Sequence, residues 1–427
     1  MSYFREVKEK KYKHIPLTRL YELLANSVNR VDTEYVDPRY ALGRVLAEPV
    51  YAKYDRPLKD ISHVDGFAVN TSDTIYASQY NPAKLRLVKG VDPRNADTYT
   101  LKRGETVFIE TGYPLPSGAN GVVPVENATI VDDYIRLTKP ALPGNHVFRR
   151  ATDFRRGEEV LPAGTRITPL TVKVLLDLGY EKIRVYRKPR VAVLSIGDEI
   201  SDEPYNPETG RLPASTMYLV KYSLEYYGAD VFYTDILPDN PSIIVKTIRE
   251  LLGRADAIIT IGGVSMGPRD HTWISLYREL NPSKWWRGVK LVPGRSCSGL
   301  IVNGKPVINQ PGLHQGSFNT LIMITTPLIN YMQGLVLEPR YPAIDTVLAT
   351  DLSVTRYIDH HRVVYLEIRD EYAVQIENPG SYYLKPLIRS DAFTVLDPGI
   401  ERIRRGSHIK AYFYPPIHQP PLSSTMW

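Results

Sequence analysis

Hydrophobic positions recur at helical spacing in two early segments. Over 18–29, Leu20, Leu23, Leu24, Ser27 and Val28 share one face and predict a helix. A second helix is predicted after Thr168: Pro169 suits its first turn, Leu170, Val174, Leu175 and Leu178 form its face, and Gly179 stops it. Between them, 48–141 holds short apolar runs broken by turn residues, clearest at 85–89, 106–109 and 121–125. These predict a β-rich module. The two helices are expected to pack together, which makes 48–141 an insertion in a helical, extended region of 1–47 and 142–187.

From about residue 188 the pattern alternates. Buried-strand runs at 191–195, 231–234 and 257–260 alternate with helical stretches at 216–227, 241–252, 271–280 and 317–331. This predicts a doubly wound α/β domain with a parallel sheet over 188–338. Runs at 363–368, 373–376 and 407–414 predict a small β-barrel or sandwich over 339–414. Residues 415–427 are rich in proline and read as a loose tail. The fold class is α/β and multidomain.

Composition narrows the function classes. Hydrophobic residues at 43% and charged residues at 23% are ordinary globular values, which excludes wholesale disorder. The surplus of 53 Lys plus Arg over 47 Asp plus Glu is small, with no long basic run. No nucleic-acid partner is expected, and an anionic small molecule fits as well. No run of about 18 apolar residues predicts a membrane-spanning helix. The N-terminal residues lack the apolar core of a signal peptide. A lone cysteine, Cys297, excludes an intrachain disulfide or thiolate metal cluster and fits a reducing, cytoplasmic compartment. With 30 Tyr, 34 Pro and few Gln, the composition resembles that of thermophile proteins.

Ligands of open α/β sheets bind outside the carboxyl ends of the strands. Four loops fall there. The first carries Asp198 and Glu199, and the second Asp239. The third is Gly262-Gly263-Val264-Ser265-Met266-Gly267-Pro268-Arg269-Asp270, and the fourth holds Pro311 and Gly312. Gly262, Gly263 and Gly267 can take positive φ, and their N–H groups with the Ser265 hydroxyl can cradle a phosphate. A tight strand-to-helix turn is the alternative, and both stay open. Asp198, Glu199, Asp239 and Asp270 are expected to converge on one rim. Acids beside a phosphate cradle call for a divalent cation, and Mg²⁺ takes oxygen ligands and bridges to phosphate. Asp270 can also simply cap the next helix. His360-His361 reads as a turn, and Cys297 as a buried thiol.

Several segments in order resemble the molybdopterin molybdenumtransferase family, the MoeA and gephyrin E-domain group. They are Val64-Asp-Gly-Phe-Ala-Val, Glu110-Thr-Gly-Tyr-Pro-Leu-Pro-Ser-Gly-Ala-Asn-Gly, Arg190-Val-Ala-Val-Leu-Ser-Ile-Gly-Asp-Glu, the glycine turn at 262–270, and Ser390-Asp-Ala-Phe-Thr-Val-Leu-Asp-Pro-Gly. The resemblance spans about 14–414. It implies a molybdopterin-binding α/β domain, a helical extended domain, an inserted β module and a C-terminal β-barrel. It further implies an elongated homodimer whose site lies between the α/β domain of one subunit and the inserted module of the other. The implied reaction takes adenylylated molybdopterin and molybdate, or tungstate, releases AMP and uses Mg²⁺. A molybdopterin adenylyltransferase that supplies the substrate is an implied partner.

By the same resemblance Asp65, Asp153, Asp198 and Glu199 are candidate catalytic acids, and Thr111 lies near the substrate. Glu199, Asp239 and Asp270 are implied metal ligands. Ser215, Pro311, Gly312 and the glycine turn are implied substrate contacts. The family's Lys-Pro-Gly-Lys-Pro stands here as Val292-Pro-Gly-Arg-Ser, leaving Arg295 and the nearby Lys290 as candidate oxyanion cations. Family Pro-Gly-Asn-Pro stands as Pro311-Gly-Leu-His, and a polar helix start as Ala214-Ser-Thr. Two alternatives to metal insertion follow: a divergent carrier or regulator that binds molybdopterin, and a gephyrin-like scaffold.

Overall fold

The computed structural model describes residues 14–263 and 271–414. Its central sheet has six strands. Arg190–Ile196, Asp230–Leu237, Ala257–Ile261 and Lys305–Gln310 run parallel, with Arg190–Ile196 between Asp230–Leu237 and Ala257–Ile261. Ser298–Val302 and Lys284–Arg287 extend the sheet antiparallel, so the expected parallel sheet is mixed at one side. The hairpin turn that reverses direction is Asn303-Gly304, with φ of 51° and 77°. Asn-Gly favours this conformation.

Alternate strand residues serve opposite faces. Val191 and Val193 enter a core shared with Met217, Val220 and Ile329, from helices Ser215–Tyr226 and Thr326–Met332. Ala192, Leu194 and Ile196 enter a second core with Ile244, Ile248 and Leu276, from helices Pro241–Leu252 and His271–Leu280. Helices therefore cover both faces, as a doubly wound domain requires. Asn240 caps its helix by accepting from the Ser242 and Ile243 N–H groups, and Pro241 occupies the first turn.

The last helix of the domain changes character midway. His314–Thr320 is α-helical, Leu321–Thr325 is a π turn, and Thr326–Met332 is α-helical again. Pro327 has no N–H, and its ring displaces the carbonyl four residues back. The carbonyls of this turn find other donors. Thr326 Oγ1 donates to Leu321 O at 3.0 Å, Tyr341 OH to Ile322 O, and Tyr21 OH to Met323 O at 2.6 Å.

That hydroxyl explains where the first helix goes. Leu17–Ala25 does not pack on Pro169–Asp177, as the apolar spacing suggested. Leu17, Leu20 and Leu24 lie in the α/β core, and Tyr331 OH donates to Ala25 O at 2.7 Å. Leu175 and Leu178 of the other helix lie in a separate core with Ala41, Leu46, Ile167 and Val185. Periodicity shows that a face must be covered and not by what.

The inserted module is a six-stranded sheet including Gly66–Val69, Glu105–Ile109 and Gly121–Pro124. The chain enters and leaves it as a two-stranded ribbon: Val50–Tyr51 pairs with Glu159–Leu161, and Ile61–Ser62 with Val147–Phe148. The C-terminal region closes into a five-stranded barrel. His361–Arg369 pairs with both Tyr372–Gln375 and Ala392–Leu396, and Ala343–Leu348 and His408–Phe413 complete the ring. Leu291–Val292 of the α/β domain adds in parallel to His361–Arg369, so the two units share a ladder. Among the described residues no helix is long and apolar enough to cross a membrane.

Candidate functional site: two adjoining cavities

The strand order reverses between Arg190–Ile196 and Ala257–Ile261, and the loops after these strands diverge. A crevice forms at such a switch point. Here it is a cavity of about 850 Å³, lined by Glu199, Ser215, Gly262, Gly263, Pro311 and Gly312, with Ser195, Leu313, His314 and Tyr382. Six predicted site residues are thus gathered. Two helices begin at its wall, at Ser215 and His314, and neither has a side-chain cap. The Gln315 N–H already donates to Ser381 O at 3.1 Å and the Met217 N–H to Ala214 O at 3.0 Å, so it is the leading N–H groups at Ser215 and His314, at the positive ends of two helix dipoles, that favour an anion.

The glycine turn is corrected in part. Gly262 has φ +85°, and an added Cβ would stand 2.5 Å from the Ile196 carbonyl oxygen. Gly263 has φ +63°, with a Cβ 3.1 Å from the Ile196 side chain. Close approach of two strand ends therefore demands both glycines. The Gly262 N–H already donates to Gln310 O at 3.1 Å, so it is not a phosphate donor. Val264, Ser265, Gly267 and Asp270 lie outside the described residues.

Of the described acids at this rim, Asp198 and Asp239 meet each other, and Glu199 is the one that faces the cavity. Asp198 Oδ1 accepts from the Asp239 N–H at 3.2 Å, and neither residue lines the cavity. Glu199 does line it. Among the described residues no group of three His, Cys, Asp or Glu side chains is placed to hold a metal ion. The physical reason is local: the Asp198 carboxylate satisfies a backbone donor of the neighbouring loop. Asp65 and Thr111 are brought together in the inserted module. The Thr111 N–H and hydroxyl both donate to Asp65 Oδ1 at 2.7 Å, which holds that carboxyl below its ordinary range. Asp153 pairs with Arg56 at 2.8 Å, and Arg56 also reaches Asp177 at 3.0 Å. Asp65, Thr111 and Asp153 line neither cavity of their own chain.

A second cavity of about 1030 Å³ opens between the 292–296 loop and the barrel. Its lining includes Arg295, Arg356 and Arg362 and contains no Asp or Glu. Ser296, Pro311 and Leu313 are common to both cavities. One barrel loop also walls both, through Asn378, Gly380 and Ser381 on one side and Tyr382 and Leu384 on the other. Fully buried Gln315 straps it down. Its Nε2 donates to Asn378 Oδ1 and Gly380 O at 3.0 Å and to Tyr383 O at 2.7 Å.

The cations divide sharply. The Arg295 guanidinium stacks over the Tyr357 ring, 3.9 Å from its centroid. Arg362 Nη2 donates to Arg356 O at 2.6 Å, while its Nε is buried without a partner among the described residues. Burial lowers the Arg362 pKa, a sign of an uncompensated charge. Lys290 is not available in the same way. Its Nζ donates to Asp359 Oδ2 at 2.7 Å, and it lines neither cavity. Sequence reasoning missed Arg356 and Arg362 because they come from the barrel, with no local motif to mark them. Cys297 is fully buried and its thiol is pushed up to about 12, so it is inert.

Comparison with known proteins decides the family. A model of the MoeA N-terminal region, domains I and II, matches residues 15–179, and a probable molybdopterin binding domain matches 192–331. The chain belongs to the MoeA family. A solved MoeA molybdopterin biosynthesis protein from Pyrococcus horikoshii is similar over 94% of this chain and 100% of its own, with 26% identity and a TM-score of 0.81. A molybdopterin molybdenumtransferase from Nostoc is 29% identical over 321 residues, 74% of this chain and 73% of that relative. A putative molybdopterin biosynthesis protein from Methanocaldococcus jannaschii is 28% identical over 386 residues, 88% and 91% of the two chains.

Proposed function

We propose that this MoeA-family chain is a molybdopterin molybdenumtransferase of molybdenum cofactor biosynthesis. It takes adenylylated molybdopterin and molybdate, or tungstate, and releases AMP. The observation that carries the proposal is an arginine-lined cavity without carboxylates, sharing a wall with an apolar crevice that ends on two helix N-termini. The crevice suits a pterin with its phosphate at the helix ends. The arginine cavity suits a tetrahedral oxyanion, which satisfies the orphaned Arg362 Nε and offsets the cost of its burial. Ser296, Pro311 and Leu313 bring the two substrates into register across one wall.

Arg295 takes the place of the family's second lysine, with planar paired donors in place of a point charge. Arg356 and Arg362 supply charge in the same cavity in place of the missing first lysine. Mg²⁺ belongs to the proposal as the family resemblance implies it, with Glu199 on the crevice and Asp239 on the adjoining loop as its candidate ligands among the described residues. Mg²⁺ commonly uses only one or two carboxylates and completes its shell with substrate phosphate and water. When bound it would neutralise charge on the phosphate leaving with AMP.

Asp65 and Thr111 complete the partner subunit's site in a homodimer on this reading, since they line neither of the two cavities in their own chain. The substrate comes from an adenylyltransferase partner. The test is AMP release from adenylylated molybdopterin with Mg²⁺ and either oxyanion. Release that depends on oxyanion supports insertion. The changes at Val292, Leu313 and His314 favour the second reading, a molybdopterin-binding carrier. Tight pterin binding with no oxyanion-dependent release would establish it.

A further inference from the structure

Tyr357 sits in a conformation that a bulky side chain rarely adopts, with φ +54°. Such strain persists only where the surroundings hold it, and it gathers at working sites. The ring it presents has two neighbours. The first is the Arg295 guanidinium, 3.9 Å from the ring centroid. The second is the His360 ring, with centroids 5.5 Å apart.

His360 is itself pinned at both nitrogens. Its Nδ1 meets Asp359 Oδ1 at 2.8 Å, and its Nε2 meets His14 Nδ1 at 3.0 Å. Asp359 is anchored in turn by Lys290 at 2.7 Å. The His360 N–H donates to Tyr357 O at 3.1 Å, closing a turn that starts at Tyr357 and brings His360 back beside it. Arg295 makes no ion pair among the described residues. The aromatic face of Tyr357 is therefore the chief restraint the structure gives its guanidinium.

We propose that Tyr357 is a positioning residue for oxyanion capture. Its strained backbone presents the ring as a platform that holds Arg295 toward the arginine cavity, and the His14–His360–Asp359–Lys290 chain braces that platform. This deepens the reading of the cavity as an oxyanion seat and rests on it. Free arginine side chains lose much rotamer freedom on binding. A guanidinium already stacked on a ring has lost part of it beforehand, and cation–π attraction supplies the restraint.

Two variants test this, with tungstate or molybdate titrated into the purified protein by calorimetry. Tyr357→Phe keeps the ring and should bind oxyanion within about twofold of wild type. Tyr357→Gly removes the ring and also relieves the positive φ. It should stay folded, with a thermal midpoint at or above wild type, yet bind oxyanion about three- to tenfold more weakly, the range expected of a cation–π contact. Arg295 in the glycine variant, and not in the phenylalanine variant, should react faster with an arginine-directed dicarbonyl. A purely structural tyrosine would move stability and leave both readouts alone. Unchanged oxyanion affinity and unchanged Arg295 reactivity in Tyr357→Gly would overturn the positioning role. Absence of oxyanion binding by wild type would instead overturn the oxyanion seat.

Discussion

The two cavities share a wall and are built by different means. The crevice at the switch point is made by backbone: two helix starts, two strand ends and glycines that let them touch. The cavity against the barrel is made by side chains, three of them arginines delivered from two domains. A backbone site follows from the topology of the sheet and tolerates changes of side chain, such as Leu313 and His314. A side-chain site can exchange its cations and keep its charge, which is the exchange proposed for Arg295 and Arg362.

Substitutions can separate these two constructions. The largest effect is expected from Gly262→Val. Its Cβ would meet the Ile196 carbonyl at 2.5 Å on a backbone with φ +85°. Left-handed strain and overpacking together cost about 2–5 kcal/mol. Chemical denaturation should show that loss. An unchanged midpoint would mean that the turn, and with it the backbone crevice, is built differently. Gly263→Val is expected to lose stability as well, because its space is filled by Ile196.

Arg295→Ala should act on the other cavity alone. Losing a charged hydrogen-bond partner costs about 1.5–3 kcal/mol, roughly ten- to a hundredfold in oxyanion affinity. Pterin affinity, measured separately, should stay as in wild type. Equal losses of both would erase the division between the cavities. Gln315→Ala is expected to do what Arg295→Ala does not, since its hydrogen bonds hold the loop that walls both. Each buried carbonyl left without a donor costs about 1–3 kcal/mol. Both affinities should weaken together in parallel titrations.

The smallest effect is with pH. Burial lowers the pKa of His14, His360 and His361 beside the arginine cavity and of His314 in the crevice, from an ordinary 6.5. The unfolded chain then takes up protons first on acidification. Stability should fall as pH drops below about 6.5, through the window down to the folded values. Asp359 acts in a lower window. The Lys290 and His360 hydrogen bonds hold it at about 2, so its contribution is present above the ordinary carboxylate range and lost toward pH 2. Thermal midpoints measured from pH 8 to 5 should decline only in the lower half. A flat profile would show that these histidines are not sheltered.

Much of the fold was legible because it is written in local periods. Apolar runs marked the parallel strands, and Thr168-Pro169 marked a helix start through groups that act within one turn. The crevice was legible for a related reason: strand ends in an open sheet must form one rim, so Glu199, Gly262 and Pro311 could be placed on it without knowing any contact. The antiparallel edge was not read from the sequence; Asn303-Gly304 is the local signal that could have marked its hairpin.

What the sequence determined by itself was therefore which segments become helices or strands, and which loops end at the sheet's carboxyl edge. Its short motifs also indicated the family. Only the tertiary structure decided which apolar face meets which. Leu20 and Leu24 could have covered the helix at Pro169–Asp177 by their spacing alone. They cover the α/β core, where Tyr21 answers a carbonyl displaced around Pro327. It also decided which charges are free to act. Lys290 and Arg295 stand five residues apart with the same sign, yet Asp359 holds one and Tyr357 presents the other. Hydrophobic burial has a period that one strand of sequence records, whereas charge pairing depends on partners brought from distant segments by the fold.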